Sequence, residues 1–194
     1  MTSHRELGEL CAESYHRVDF EDANIEVIQE GCVFCFRGTD EPLDALRDAR
    51  VLPWWLGREL GWAPAGFAKG ARRLLRKILS WCLEHDIDTD QGLELCGHSL
   101  GGAIALLVGA MCKRDEVPVK QIVTFGAPRS GRLKILDTVP VTQYRWGKDI
   151  VPTVPPLMRR HNKLIRRGLP YSRGMIKDHY MTNYLGMARS LDEF

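Results

Sequence analysis

The sequence predicts an α/β fold in which helices flank a central, mostly parallel sheet. Two observations carry this prediction. Short apolar-rich runs, "LELC" (Leu93 to Cys96) and "KQIVTFGAP" (Lys120 to Pro128), read as strands buried on both faces, the habit of parallel sheets. Stretches with apolar residues at helical spacing lie between and around them, so strand and helix alternate along the chain. A length of 194 residues suits one compact domain, and 44% apolar with 27% charged residues is ordinary for a chain that buries a core.

Taken in order, the first twenty residues read as a helix, with Leu7, Leu10, Cys11 and Tyr15 at helical spacing. "NIEVIQEG" and "CVFCFRG" are two strands around a turn at Glu30-Gly31. "EPLDALRDA" is a short helix with Pro42 in its first turn. "RVLPWWLGRELGWAP" is irregular and aromatic, broken by Pro and Gly. Ala65 to Glu84 is a long amphipathic helix, with Phe67, Leu74, Leu75, Ile78, Leu79 and Cys82 on or near one side. Strand "LELC", a helix from Leu100 to Lys113, strand "KQIVTFGAP" and strand "PVTQYRWG" follow. The basic segment from Met158 to Arg173 shows no clear period, and a last helix runs from about His179 to Leu191. No repeat or long linker divides the chain, so residues 1–194 are read as a single domain.

Composition narrows the function. A net charge of +2 does not point to a nucleic-acid binder, and no recognised motif accompanies the basic residues. "MTSHRELGELCAESYHR" carries charges where a signal peptide needs an apolar core. The longest apolar stretch, Ala103 to Cys112, is far short of the roughly 20 residues of a membrane span. The six cysteines sit mostly in apolar segments without zinc-ligand spacing, which suits buried free thiols in a reducing cytoplasm. "CVFC" on a strand would point its two thiols to opposite faces. Neither cofactor nor metal is expected.

The chemistry centres on "LELCGHSLGGAIALL". An apolar strand feeds Gly97-His98-Ser99-Leu100-Gly101, a G-x-S-x-G turn followed at once by a helix-forming run. Glycines two before and two after the serine let strand and helix pass closely, and the helix N-terminus favours negative charge there. A serine hydroxyl needs a histidine to take its proton and an acid to orient that histidine. In folds with such an elbow the chain order is serine, acid, histidine. Downstream histidines are His161 and His179. His161 lies in "MRRHNK", where cations disfavour its charged form, so His179 is taken as the base. Asp149 follows the strand "VTQYRWG" and suits the acid. Asp137 precedes its strand, at the wrong end of the sheet. Asp178, adjacent to His179, reads as a helix N-cap.

Four separated blocks then carry a resemblance: "FCFRGTD" (Phe34 to Asp40), "LELCGHSLGGAIALL" (Leu93 to Leu107), "VTFGAPRSG" (Val123 to Gly131), and "DIVPTVPP" (Asp149 to Pro156) with "DHYMTNYL" (Asp178 to Leu185) behind it. In this order they resemble the class 3, fungal-type lipases. The resemblance implies a three-layer α/β-hydrolase-like fold and a carboxylic ester hydrolase with Ser99, Asp149 and His179 as its triad. It implies that Thr39 of "RGT" and Leu100 after the nucleophile give the oxyanion donors. Asp40 is either an anchor of that loop or a solvated turn residue. The chain is shorter than typical secreted members, has less sequence ahead of "FRGT", and has a compact interval between Asp149 and His179.

In the family, the segment before the long helix often forms a lid, here about residues 50–64 with Trp54, Trp55, Leu56, Leu60 and Trp62. Three tryptophans in nine residues suit either core or an apolar cap over an acyl chain. The basic run Arg159, Arg160, Lys163, Arg166, Arg167, Arg173, Lys177 is either a solvated face or an attractor of anionic membrane lipid. The leading reading is a lipase or phospholipase whose partner is a lipid ester, with transient contact to an anionic membrane surface. The alternatives are a soluble short-chain esterase, thioesterase or acyltransferase on the same triad, and a catalytically silent lipase-like binding protein.

Overall fold

The structure, a computed structural model, describes residues 1–22, 24–39, 52–162, 164–168 and 174–193. Helix α1 (His4–Glu13) starts on a capping box in which Ser3 and Glu6 satisfy each other's backbone N–H. It leads to strands β1 (Phe20–Asp22), β2 (Ile25–Glu30) and β3 (Val33–Phe36). A hairpin of β4 (Pro53–Trp55) and β5 (Trp62–Pro64) precedes α2 (Ala65–Glu84). Then come β6 (Leu93–His98), α3 (Leu100–Arg114), β7 (Val119–Phe125), β8 (Val141–Trp146), β9 (Leu164–Arg167) and α4 (Met181–Arg189).

Seven strands form one sheet in the order β1-β2-β3-β6-β7-β8-β9. The pairs from β3 to β9 are all parallel, and β1, β2 and β3 make an antiparallel meander at one edge. Every residue of β3 and β6 is buried, as strands covered on both faces must be. Alternation then sorts their side chains between two cores. Phe34, Phe36, Leu93 and Leu95 pack under α2 and α3. Cys35 and Cys96 face α1 and α4 on the other side, with Val123 and Phe125. The result is the expected three layers.

Helix α3 is buried from Gly101 to Cys112 because it lies between the sheet and α2. Its approach to the strands depends on missing side chains. A Cβ on Gly101 would sink into the Phe36 carbonyl, and one on Gly97 would lie 2.5 Å from the Gly101 backbone.

Some expectations shift. The first helix stops at Glu13, and Phe20–Asp22 forms an edge strand against β2. The irregular aromatic segment contains the β4–β5 hairpin, with Trp55 directly opposite Trp62. The aperiodic basic segment contains β9, an edge strand whose Ile165, Arg166 and Arg167 are exposed; charged edges blunt further pairing and erase any apolar pattern. The last helix begins at Met181, and His179 sits in the 3-10 turn Lys177–His179 before it. The helix expected over Glu41 to Ala49 lies outside the described residues.

Two glycine substitutions should separate close packing from helix propensity. Gly101→Ala should lower unfolding free energy by about 2–3 kcal/mol through overpacking against backbone that cannot move aside. Gly186, exposed inside α4 with nothing within 4 Å of an added Cβ, should gain about 0.5–1 kcal/mol as Ala. Urea titration of both variants checks the pair.

Candidate active site

Strand β6 ends in the turn that carries Ser99. Its backbone has φ 54° and ψ −129°, a left-handed conformation that costs a non-glycine residue of the order of 1–3 kcal/mol. The Ser99 N–H donates to the Phe125 carbonyl at 2.9 Å, fastening the turn to the end of β7. Although Ser99 is the N-cap of α3, its side chain makes no capping bond. The hydroxyl instead meets His179, with Oγ 2.8 Å from Nε2. His179 Nδ1–H donates to Asp149 Oδ2 at 2.7 Å. All three residues are buried. An ionised carboxylate only accepts, so Nδ1 carries the proton and Nε2 of the neutral ring accepts from the serine hydroxyl.

Asp149 is held from several sides. Its Oδ1 accepts the Val151 N–H at 2.9 Å, and its Oδ2 also accepts the Tyr184 hydroxyl at 2.5 Å. Tyr184 in turn accepts the Trp146 N–H at 3.0 Å. Burial, and then the Asp149 charge, push the Tyr184 phenol well above its ordinary pKa, so it remains a donor. Asp178 is not the N-cap of the last helix; that position is Tyr180, which makes no side-chain cap. Asp178 is buried under the Gly147 turn, where Oδ2 accepts the Lys148 N–H at 2.8 Å. It therefore secures the turn that delivers Asp149. The cause is that the helix starts two residues later than the sequence pattern suggested.

His98, the residue between Gly97 and Ser99, stacks on His179 with ring centroids 4.7 Å apart. Its Nε2–H donates to the His179 carbonyl at 2.8 Å, leaving Nδ1 to accept the Tyr15 hydroxyl at 2.6 Å. Burial, then proximity to His179, hold the His98 pKa well below 6.5. Gly126, at φ 65°, closes the back of the site. A Cβ there would lie 3.0 Å from Asp149 Oδ2 and 3.1 Å from His179 Cε1.

Thr39 and Leu100 come together. Both line a cleft of about 200 Å³ with Glu26 and Arg37. The Leu100 N–H is the first of α3, without an intrahelical acceptor. Gly38, beside Thr39, passes so close to the elbow that a Cβ would lie 2.9 Å from Ser99 Cβ. Asp40 lies outside the described residues. His161 is buried away from this constellation, with Nδ1 3.0 Å from Arg132 Nη1.

Of the aromatic segment, Trp54, Trp55 and Trp62 are 61%, 48% and 54% exposed, which removes the core alternative left open for these rings. Leu60 is buried and Leu56 partly so. A two-stranded hairpin is too thin to enclose large rings. Among the described residues, Cys11, Cys35 and Cys96 form the one group with metal-ligand proximity, their sulfurs within 4.8 Å of one another. These thiols are free and sit in the core between α1 and the sheet. Cys32, on the opposite face from Cys35, contacts the Asp88 carbonyl.

The sequence reading missed Tyr184, the role of Asp178 and the stacking of His98. His98 was open to view as the variable position of the elbow. Tyr184 carried no signal beyond a tyrosine in a short helix after the histidine.

The sequence pattern described as Lipase (class 3) matches residues 33–158, about two thirds of the chain. The chain belongs to the class 3 lipase family. Solved structures agree on an α/β-hydrolase-like fold. The triacylglyceride lipase of Rhizomucor miehei superposes with a TM-score of 0.57 at 21% identity, over 71% of this chain and 58% of that one. Lipase II of Rhizopus niveus gives 0.53 at 25% identity, over 68% and 56%. Lip2 lipase of Yarrowia lipolytica gives 0.61 at 18%, over 84% and 77%. Toxin TseL of Vibrio cholerae serotype O1 is 41% identical over 64 residues, 31% of this chain and 10% of that protein. The chain thus spans about a tenth of the length of that toxin and under two thirds of the Rhizomucor and Rhizopus lipases.

Three histidines, two buried and His4 half-buried, set a pH dependence. His4, His98 and His161 all have pKa values lowered from 6.5 by burial. Each binds a proton more weakly folded than unfolded. Below about pH 6.5 the unfolded chain takes up more protons, so stability is full above that value and falls as pH drops towards the depressed folded values. Urea midpoints from about pH 7.5 down to about pH 5 should decline, with a shallower decline in His98→Asn.

Proposed function

We propose that the protein is a serine-dependent carboxylic ester hydrolase, a lipase or phospholipase that works through an acyl-enzyme on Ser99. The observation that carries this reading is the unbroken line from Ser99 Oγ to His179 Nε2 at 2.8 Å and from His179 Nδ1 to Asp149 Oδ2 at 2.7 Å. Ser99 attacks the ester carbonyl as His179 takes its proton. His179 then returns that proton to the leaving alcohol, and Asp149 stabilises the imidazolium that forms between these steps. The second half-reaction repeats the sequence with water, releasing the acid and restoring the serine.

The oxyanion of each tetrahedral intermediate is received by the backbone N–H groups of Thr39 and Leu100, with the N-terminal dipole of α3 behind them. Loss of one such donor typically costs about 3 kcal/mol of transition-state stabilisation. Tyr184 is a positioning residue: its hydrogen bond keeps Asp149 aligned with His179. His98 stays neutral beneath the His179 ring, so it adds no competing charge when the imidazolium forms.

The substrate is a lipid ester, and the lid of this single domain, placed at about 50–64 and described over residues 52–64, offers lipid Trp55 and Trp62 on one face and Trp54 and Leu56 on the other. Among the described residues no helix is long and apolar enough to cross a membrane. The free cysteines suit a reducing compartment, so we place the protein in the cytoplasm.

Hydrolysis of p-nitrophenyl esters from acetate to palmitate tests the reading. Ser99→Ala and Asp149→Asn should each lower kcat by at least about 10³-fold. Turnover that persists in Ser99→Ala would overturn the mechanism. Tyr184→Phe should reduce kcat about tenfold, the scale of a lost hydrogen bond to a charged group, with KM little changed. A change confined to KM would contradict its positioning role.

A further inference from the structure

Outside the triad, four arginines close on one cavity. Arg145 of β8 and Arg166 of β9 are register partners on adjacent parallel strands, so their side chains leave the sheet on the same face. Arg129, in the loop after β7, and Arg160, ahead of β9, help complete the wall of a cavity of about 670 Å³. Among the described residues no acid lines it, and none of the four arginines is in an ion pair. Arg129 Nη1 donates to the Pro156 and Met158 carbonyls, at 3.2 and 3.3 Å, which leaves its charge unanswered. Arg145 Nε and Arg160 Nη1 are shielded from solvent and have no hydrogen-bond partner among the described residues.

Burying part of an unpaired cation is costly, and gathering like charges adds to the cost. Burial, then the charges of Arg129, Arg145 and Arg166, pull the Arg160 pKa down to about 10. Such a cluster destabilises the free fold and is relieved when an anion enters. A carboxylate brings one charge and satisfies a single guanidinium fork. A phosphate monoester brings about two charges and terminal oxygens in tetrahedral directions, so it can meet several forks at once. The location also suits a ligand. Open α/β sheets bind ligands beyond the carboxyl ends of their strands, and this cavity lies towards that end of β8 and β9. It shares the 3-10 turn Val151–Thr153 with the triad: Pro152 and Thr153 face the cavity, while the Val151 N–H holds Asp149.

We propose that the cavity between Arg129, Arg145, Arg160 and Arg166 binds the phosphate group of a phosphate ester, with the orphaned Arg145 Nε and Arg160 Nη1 among its donors. The proposal goes beyond the ester-hydrolase reading and does not rest on it, since binding needs neither Ser99 nor turnover. A soluble phosphate ester and the phosphate of a lipid headgroup present the same chemistry, and the test separates these two sources.

The test uses the full chain as Ser99→Ala, so that no lipid is consumed. Isothermal titration compares glycerol 3-phosphate with monomeric dihexanoylphosphatidic acid, which carries the same phosphate on an acylated glycerol. At about 0.05 M salt at least one should bind with a Kd below about 1 mM, and at about 0.5 M salt its binding should weaken at least about tenfold. Similar affinity for both assigns the site to soluble phosphate esters; a preference of about tenfold or more for the lipid assigns it to a headgroup. Arg145→Gln with Arg160→Gln should weaken the bound ligand at least about tenfold while circular dichroism stays native. Thermal melts give an independent reading. Arg160→Met should raise the Tm of the ligand-free protein, because an unpaired, partly buried charge is removed, and should lose the rise in Tm that the ligand gives its parent. Absence of binding by both ligands up to about 10 mM would overturn the proposal. So would an Arg160→Met variant that responds to ligand as its parent does, or a Tm rise that sodium chloride reproduces at equal ionic strength.

Discussion

The structure depends on how closely helix α3 can be laid against strands β3 and β6. Three backbones meet there without intervening side chains: Gly97 at the end of β6, Gly101 in the first turn of α3, and the Phe36 carbonyl at the end of β3. That approach forces the chain through an abrupt turn, and the residue at its apex takes φ 54°. The strained residue is a serine rather than a glycine, which on stability grounds alone is a poor choice. The contacts that enforce the turn also aim the Ser99 hydroxyl away from its capping position and at His179. They also bring Gly38, and with it Thr39, beside the helix N-terminus. Packing and site geometry therefore arise from one constraint.

The other half of the site is assembled from the opposite side of the sheet. The turn after β8 carries Asp149, the 3-10 turn before α4 carries His179, and α4 itself contributes Tyr184. Asp178 joins the first two by accepting the Lys148 N–H, while Tyr184 bridges Asp149 and the Trp146 backbone. Even α1 takes part, since its C-terminal neighbour Tyr15 hydrogen-bonds His98, and His98 holds the His179 carbonyl. Ser99, His179, Asp149, Tyr184, His98 and Asp178 are thus each hydrogen-bonded into one network, the condition under which buried polar groups rigidify a core. The Ser99–His179 contact that the proposed reaction needs is supported by both outer layers.

Legibility followed the physics of each signal. The buried strands β3, β6 and β7 and the helices α2 and α3 were readable, because two-faced burial and a 3.6-residue apolar period leave marks in composition. Ser99 was readable because glycine spacing reports a steric requirement. His179 and Asp149 followed from chain order and placement after a strand. Edge strand β9 was not readable, since an exposed edge carries charge instead of pattern. Asp178 was misassigned because a carboxylate before a helix is normally a cap, and only the fold reveals the Gly147 turn above it. The exposed tryptophans were ambiguous for a similar reason: apolar composition states that rings seek an apolar partner without stating whether the partner is protein or lipid.

Activation of Ser99 by His179 can be read out covalently. The wild-type chain would be treated with an alkyl phosphonate ester, whose phosphorus mimics the tetrahedral intermediate, and the intact mass and labelled peptide measured. A single adduct is expected, on Ser99, that disappears in Ser99→Ala and forms far more slowly in His179→Ala. Labelling that is absent from folded wild type, or equally fast without His179, would contradict the claim that this geometry activates Ser99 as a nucleophile.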